Sequence, residues 1–99
     1  MKTIKKLSAM PYAQAHVEID GNGNVYLFSY VTCVAAIVDG WLEIYGLYSV
    51  TTRRHIGAFV REYIEWPNGS RCDYQTARNL YEKNWRLCIE TGEIEDMPG

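Results

Sequence analysis

The run from Tyr48 to Phe59, YSVTTRRHIGAF, is the densest collection of side chains able to do chemistry in this chain. Acyl-transfer or hydrolytic chemistry needs a nucleophile, a base and an orienting group in contact. Here the base would be His55, the nucleophile Ser49 or Cys33, and the orienter Glu43 or Glu62. No nucleophile elbow, zinc-binding His-Glu-x-x-His pair or glycine-rich phosphate loop accompanies them. A small hydrolase using His55 is therefore an alternative reading and not the leading one. His16 and His55, far apart in sequence, supply a metal site poorly, so neither a metal nor a cofactor is expected. A second alternative is a small nucleic-acid-binding regulator using Arg53, Arg54 and Arg61, since basic side chains neutralise phosphates and nearby aromatic rings stack bases. Glu62, Glu65 and Glu82 interrupt the same surfaces and the net charge is −2, which argues against general nucleic-acid binding.

The elements that must hold these groups come from periodicity. Ninety-nine residues, 47% of them apolar, make one folded domain over 1–99, with tails expected at 1–11 and 95–99. Residues 13–20 alternate, with Ala13, Ala15, Val17 and Ile19 on one face and Gln14, His16, Glu18 and Asp20 on the other, as a half-buried strand does. GNGN (21–24) is a turn. Residues 25–38, apolar on both faces, read as one long central strand, and Asp39-Gly40 is a hairpin signal before a return strand at 41–45. The period then changes. Ile56, Phe59, Val60 and Tyr63 share a helical face, with Thr51 or Thr52 as the cap and His55 half-buried at the edge of the stripe. WPNGS (66–70) stops that helix. Asp73 caps a second helix with Tyr74, Ala77, Leu80, Tyr81 and Trp85 inward, and 86–94 makes a last short strand with Leu87 and Ile89 inward. The expected fold is α+β: an antiparallel sheet of three to four strands with two helices on one face, in the order β-β-β-α-α-β.

Cys33, Cys72 and Cys88 are odd in number and irregularly spaced, which favours reduced thiols in a cytoplasmic compartment over a disulfide framework; a Cys72–Cys88 bridge is the competing arrangement. The lysine-bearing start lacks an apolar run of signal-peptide length, and no segment is apolar enough to span a membrane.

Eight tyrosines, three tryptophans and two phenylalanines are a surplus for a chain of this size. Two helices blanket only one face of a sheet. The other face is expected to be open and aromatic, and exposed rings of this kind anchor protein interfaces. The expected anchors are Tyr26, Phe28, Tyr30, Trp41 and Tyr45, with Glu18, Asp20 and Glu43 able to imitate nucleic-acid phosphates toward a basic groove. A homodimer through the sheet would use the same face.

The strand SYVT (29–32), the helix entry LYSVTTRRHI (47–56), and TGE (91–93) near the end resemble a family of small uncharacterised proteins encoded by phages and prophages of gut bacteria and related mobile elements. The resemblance implies an accessory protein in the cytoplasm of a bacterial host. Its partner would be a host protein such as a CRISPR effector or another defence nuclease. It supplies no catalytic residues to carry over. The leading expectation is a non-enzymatic protein-binding module of phage or prophage type, anti-CRISPR-like in acting by steric block.

Overall fold

Alternating side-chain polarity builds a meander. A computed structural model describes residues 2–47, 49–64 and 74–98. It contains the strands β1 (Thr3–Lys5), β2 (Ala15–Ile19), β3 (Val25–Ser29), β4 (Thr32–Val38) and β5 (Trp41–Ile44), the helices α1 (Val50–Tyr63) and α2 (Tyr74–Glu82), then β6 (Trp85–Cys88) and β7 (Ile94–Asp96). All seven strands form one antiparallel sheet in chain order, each bonded only to its sequence neighbours.

The fold is α+β, but the expected sheet of three to four strands in β-β-β-α-α-β order is overturned by these seven strands. Three features account for the difference. The apolar run 25–38 is two strands, because Ser29 pairs with Thr32 and Tyr30 turns the chain with a φ of 58°. Sequence reasoning looks for Gly or Asn in such a left-handed position, not Tyr. The run 86–94 likewise breaks after Cys88, where the N–H of Gly92 bonds back to the Cys88 carbonyl. The stretches expected as tails are used: residues 3–5 pair with β2, Leu7 is fully buried, and Glu95 and Asp96 belong to β7.

Both helices pack on the same face of the sheet, α1 over β3 and β4 and α2 over β5 and β6. One core lies between them, with Val17, Leu27, Leu42 and Leu87 from the sheet and Ile56, Phe59, Ala77 and Leu80 from the helices. A bulge refines it. Leu27 pairs with Ala35 but Phe28 pairs with Cys33, so Val34 is the extra residue and is buried in the core rather than beside Phe28.

Ser49, not Thr51 or Thr52, caps α1: its Oγ accepts the Thr52 N–H at 3.1 Å. His55 is wholly buried, further in than the stripe edge. In α2, Ala77 and Leu80 face inward as expected, whereas Tyr81 is 40% exposed and Trp85 has left the helix to open β6. The WPNGS loop, Arg71, Cys72, the Asp73 cap and the side chain of Tyr74 lie outside the described residues. Cys33 and Cys88 are free thiols. Among the described residues, no helix is long and apolar enough to cross a membrane.

Candidate functional site

The two helices leave one sheet face uncovered by any described element. Strand register places its side chains. His16 and Glu18 of β2 stand opposite Phe28 and Tyr26 of β3; Tyr26 and Phe28 stand opposite Ala36 and Cys33 of β4. Ala36 is opposite Glu43 of β5, and Val38 opposite Trp41. Trp41 and Glu43 then meet Cys88 and Arg86 of β6. The apolar side chains therefore occupy the central strands, with the charged Glu43 of β5 among them, and further charged ones flank them on β2 and β6. An apolar centre with a polar rim is the usual anatomy of a protein-binding patch.

The rings are half-buried, and each is held by a polar neighbour. The His16 imidazole stacks on Phe28, with centroids 5.0 Å apart and planes 3° from parallel. The Arg86 guanidinium lies 4.2 Å above the Trp41 ring and also bonds Glu95 of β7, its Nε donating at 2.9 Å. The Tyr45 hydroxyl donates to Glu43 at 2.5 Å. Burial first, and then the Glu43 carboxylate, push the Tyr45 phenol well above its ordinary range. Ala36, at the middle of the face, is covered by its neighbours although it lies outside the helix-side core. The face thus has a small-residue floor framed by Tyr26, Trp41, Glu43 and Tyr45.

Six of the expected site residues share this face: Tyr26, Phe28, Trp41, Tyr45, Glu18 and Glu43. Asp20 joins them at the edge, hydrogen-bonded by Tyr26, and Tyr30 is placed differently. Tyr30 sits in the β3–β4 turn, 57% exposed, its ring 6.3 Å from that of His55 and so toward the helix side. Asp20 lies at the end of β2, where its carboxylate accepts the N–H groups of Asn22 and Asn24 at 2.9 and 3.0 Å and shapes the turn. Desolvation raises the Asp20 carboxyl, but these bonds outweigh it and hold it below its ordinary value. Glu18 is occupied too: hydrogen bonds from Lys2 and then His16, at 2.8 and 3.0 Å, keep its carboxyl low. With Glu43 engaged by Tyr45, the acids are internally paired and do not form a free phosphate-like array. His16, Cys33, Ala36 and Arg86 were missed by sequence reasoning; the register that places Cys33 and Ala36 depends on the Tyr30 turn and the Val34 bulge, and that of His16 and Arg86 on the β2–β3 and β5–β6 pairings.

The residues considered for hydrolysis are not brought together. His55 Nδ1 lies 2.8 Å from Ser29 Oγ in the core, and burial lowers the imidazole's basicity. Ser49 caps α1, Glu62 accepts the Ser8 N–H at 2.6 Å, and Cys33 and Glu43 lie on the opposite sheet face. Arg53, Arg54 and Arg61, in contrast, are brought together. With Val50 and Gly57 they form one stripe of α1, spaced i, i+3, i+4, i+7 and i+11, and line a cleft of about 480 Å³ that Ala77 of α2 also borders. The spacing was readable in the sequence; the facing α2 wall was not.

Fold and surface together define a small α+β domain with one helix-covered and one helix-free sheet face. Residues 2–77 match the model of the family of unknown function DUF8033, and the chain belongs to that family. The match runs from β1 to the start of α2 and so includes most of the helix-free face and the whole arginine stripe. No curated protein and no solved structure matches the chain.

Proposed function

We propose that this protein is a non-enzymatic binding module whose working surface is the helix-free sheet face. The observation that supports it is the juxtaposition of Tyr26, Phe28, Trp41 and Tyr45 around Ala36, with Glu43 among them tied to the Tyr45 hydroxyl and the other charged side chains on the flanking strands β2 and β6. Flat rings already immobilised by His16, Arg86 and Glu43 lose little further freedom on binding, which favours affinity. The partner's matching surface is a protein surface that offers apolar groups to the rings and polar groups to the rim. Action is by steric block. The phage-type setting belongs to this proposal: a host defence nuclease such as a CRISPR effector is the class of target, reached through the rings rather than through phosphate imitation, because the acids are paired.

The test is affinity capture from bacterial lysate with the wild-type chain, with Tyr26→Ala/Trp41→Ala, and with Arg54→Ala as a control away from the face. Each bait is first checked for fold by circular dichroism. A specific protein should be retained by wild type and by Arg54→Ala and lost with the double variant. If a folded double variant captures the same protein equally well, the helix-free face is not the binding surface. Sedimentation equilibrium of the purified chain reads the homodimer separately: self-association abolished by the same double variant would identify a second copy as the occupant.

A further inference from the structure

The cleft beside α1 is chemically unlike the sheet face. Among the described residues, its polar contribution comes from Arg53, Arg54 and Arg61, and the rest of its lining is aliphatic: Met10, Leu47, Val50, Ile56, Val60 and Ala77, with Gly57 between. Among the described residues, the lining contains no acid, aromatic ring, hydroxyl or amide. Three features follow for a ligand. The guanidinium forks ask for a carboxylate or phosphate, which they hold with paired N–H donors. The aliphatic walls ask for an apolar body. Among the described residues the lining offers no ring to stack on and no side-chain acceptor to read a base edge, which disfavours a nucleotide. Gly57 matters sterically: the two terminal guanidinium nitrogens of Arg61 lie 4.0 Å from where a Gly57 side chain would begin, so Arg61 folds back over bare helix surface. The nearest acid on α1, Glu62, is turned away and accepts the Ser8 N–H. A volume of about 480 Å³ is within the range of small-molecule sites.

We propose that this cleft binds an amphiphilic anion: an aliphatic chain of medium length carrying a carboxylate or phosphate head, the chain against Leu47, Val50, Ile56 and Val60 and the head between Arg54 and Arg61. The site lies on the helix side of the sheet and does not depend on the binding role of the other face.

Calorimetric titration of the full chain tests it, with decanoate and decyl phosphate as probes below their micelle-forming concentrations, and decanol, inorganic phosphate and AMP as comparators. Both amphiphilic anions should bind at least about tenfold more tightly than decanol or inorganic phosphate; whichever of the two binds better identifies the head group. Arg54→Gln/Arg61→Gln should weaken both by about tenfold or more. Gly57→Leu, which improves helix propensity while filling the cleft, should abolish binding with the circular dichroism spectrum retained. The proposal is overturned if decanol binds as tightly as decanoate, if AMP binds better than either anion, or if a folded Gly57→Leu variant binds unchanged.

Discussion

The Ser29 hydroxyl and Nδ1 of His55 lie 2.8 Å apart, joining the last residue of β3 to the second turn of α1, and both side chains are buried. A boundary helix residue that reads as half-exposed is in fact a polar tie between sheet and helix. Ser29→Ala removes one partner and leaves a buried ring nitrogen unsatisfied, so unfolding free energy from urea titration should fall by about 1–3 kcal/mol. A loss near zero would mean that water replaces the hydroxyl and that the tie carries no stability.

The same pair sets a pH dependence. Burial lowers the His55 pKa below its ordinary 6.5. The unfolded chain therefore takes up a proton at a higher pH than the native one does. Stability from this group is complete above pH 6.5 and declines as pH falls from there toward the native pKa. His55→Asn should flatten the part of the stability profile just below pH 6.5 that wild type shows, measured by denaturant titration at a series of pH values. An unchanged slope in the variant would assign the dependence to other groups.

Tyr45 titrates in the other direction. Burial and Glu43 raise its phenol above the ordinary value of 10, so its contribution is present below pH 10 and is lost as pH rises further. Ultraviolet titration of phenolate should show a tyrosine that ionises only as the protein unfolds, and Tyr45→Phe should remove that component. Tyr63, raised by burial and by Glu62, gives a second late component that persists in the variant.

The hairpin between β4 and β5 turns on Asp39 and Gly40, with φ of 52° and 82°. Two consecutive left-handed residues are the pattern that makes Asp-Gly a hairpin signal. Gly40→Ala should lower stability by about 1 kcal/mol, because a Cβ is disfavoured at that φ although nothing lies within 4 Å to clash with it. Thermal denaturation of Gly40→Ala beside Gly40→Asn separates the two causes: Asn, which tolerates this backbone, should recover part of the loss.

Two cysteines should react at different rates. Cys33 is half-buried on the helix-free face and its thiol is pushed up by burial; Cys88 is pulled down by hydrogen bonding from the Thr91 hydroxyl and then from backbone N–H groups. The thiolate is the reactive form. Peptide mass mapping after brief alkylation near pH 7.5 should find Cys88 modified before Cys33. The reverse order would place Cys33 in a more open environment than the strand register gives it.

How much of this was legible in the sequence depends on which signal each residue sends. Alternation located β2, and the 3.6 period of Ile56, Phe59, Val60 and Tyr63 located α1, because both patterns report a single buried face. Aspartate and glycine announced the β4–β5 turn. The β3–β4 turn was silent, because Tyr30 and Val31 are strand-forming residues placed in a tight turn by the pairing of Ser29 with Thr32. The three-residue strands β1 and β7 were too short and too exposed to carry a period. On the candidate face, Tyr26, Phe28, Trp41 and Tyr45 could be grouped from composition, since they fall on alternate positions of their strands. Arg86 and His16 could not, because their place beside Trp41 and Phe28 follows from cross-strand register.

The meander also dictates an order of assembly. Every strand pairing but one closes across a short connection; β5 and β6 alone must find each other across residues 45–84, which carry both helices. Loop closure over a long span costs more chain entropy than closure over a tight turn, and local contacts form sooner. The ribbon from β2 to β5 should therefore zip first, with α1 condensing onto it and the β6–β7 hairpin joining last. In pulse-labelled hydrogen exchange during refolding, amides of Leu27 and Ala35 should gain protection before that of Leu87. The final hairpin would then act as the latch of the molecule, and a terminal truncation ahead of Trp85 would leave the edge of β5 unpaired and prone to self-association.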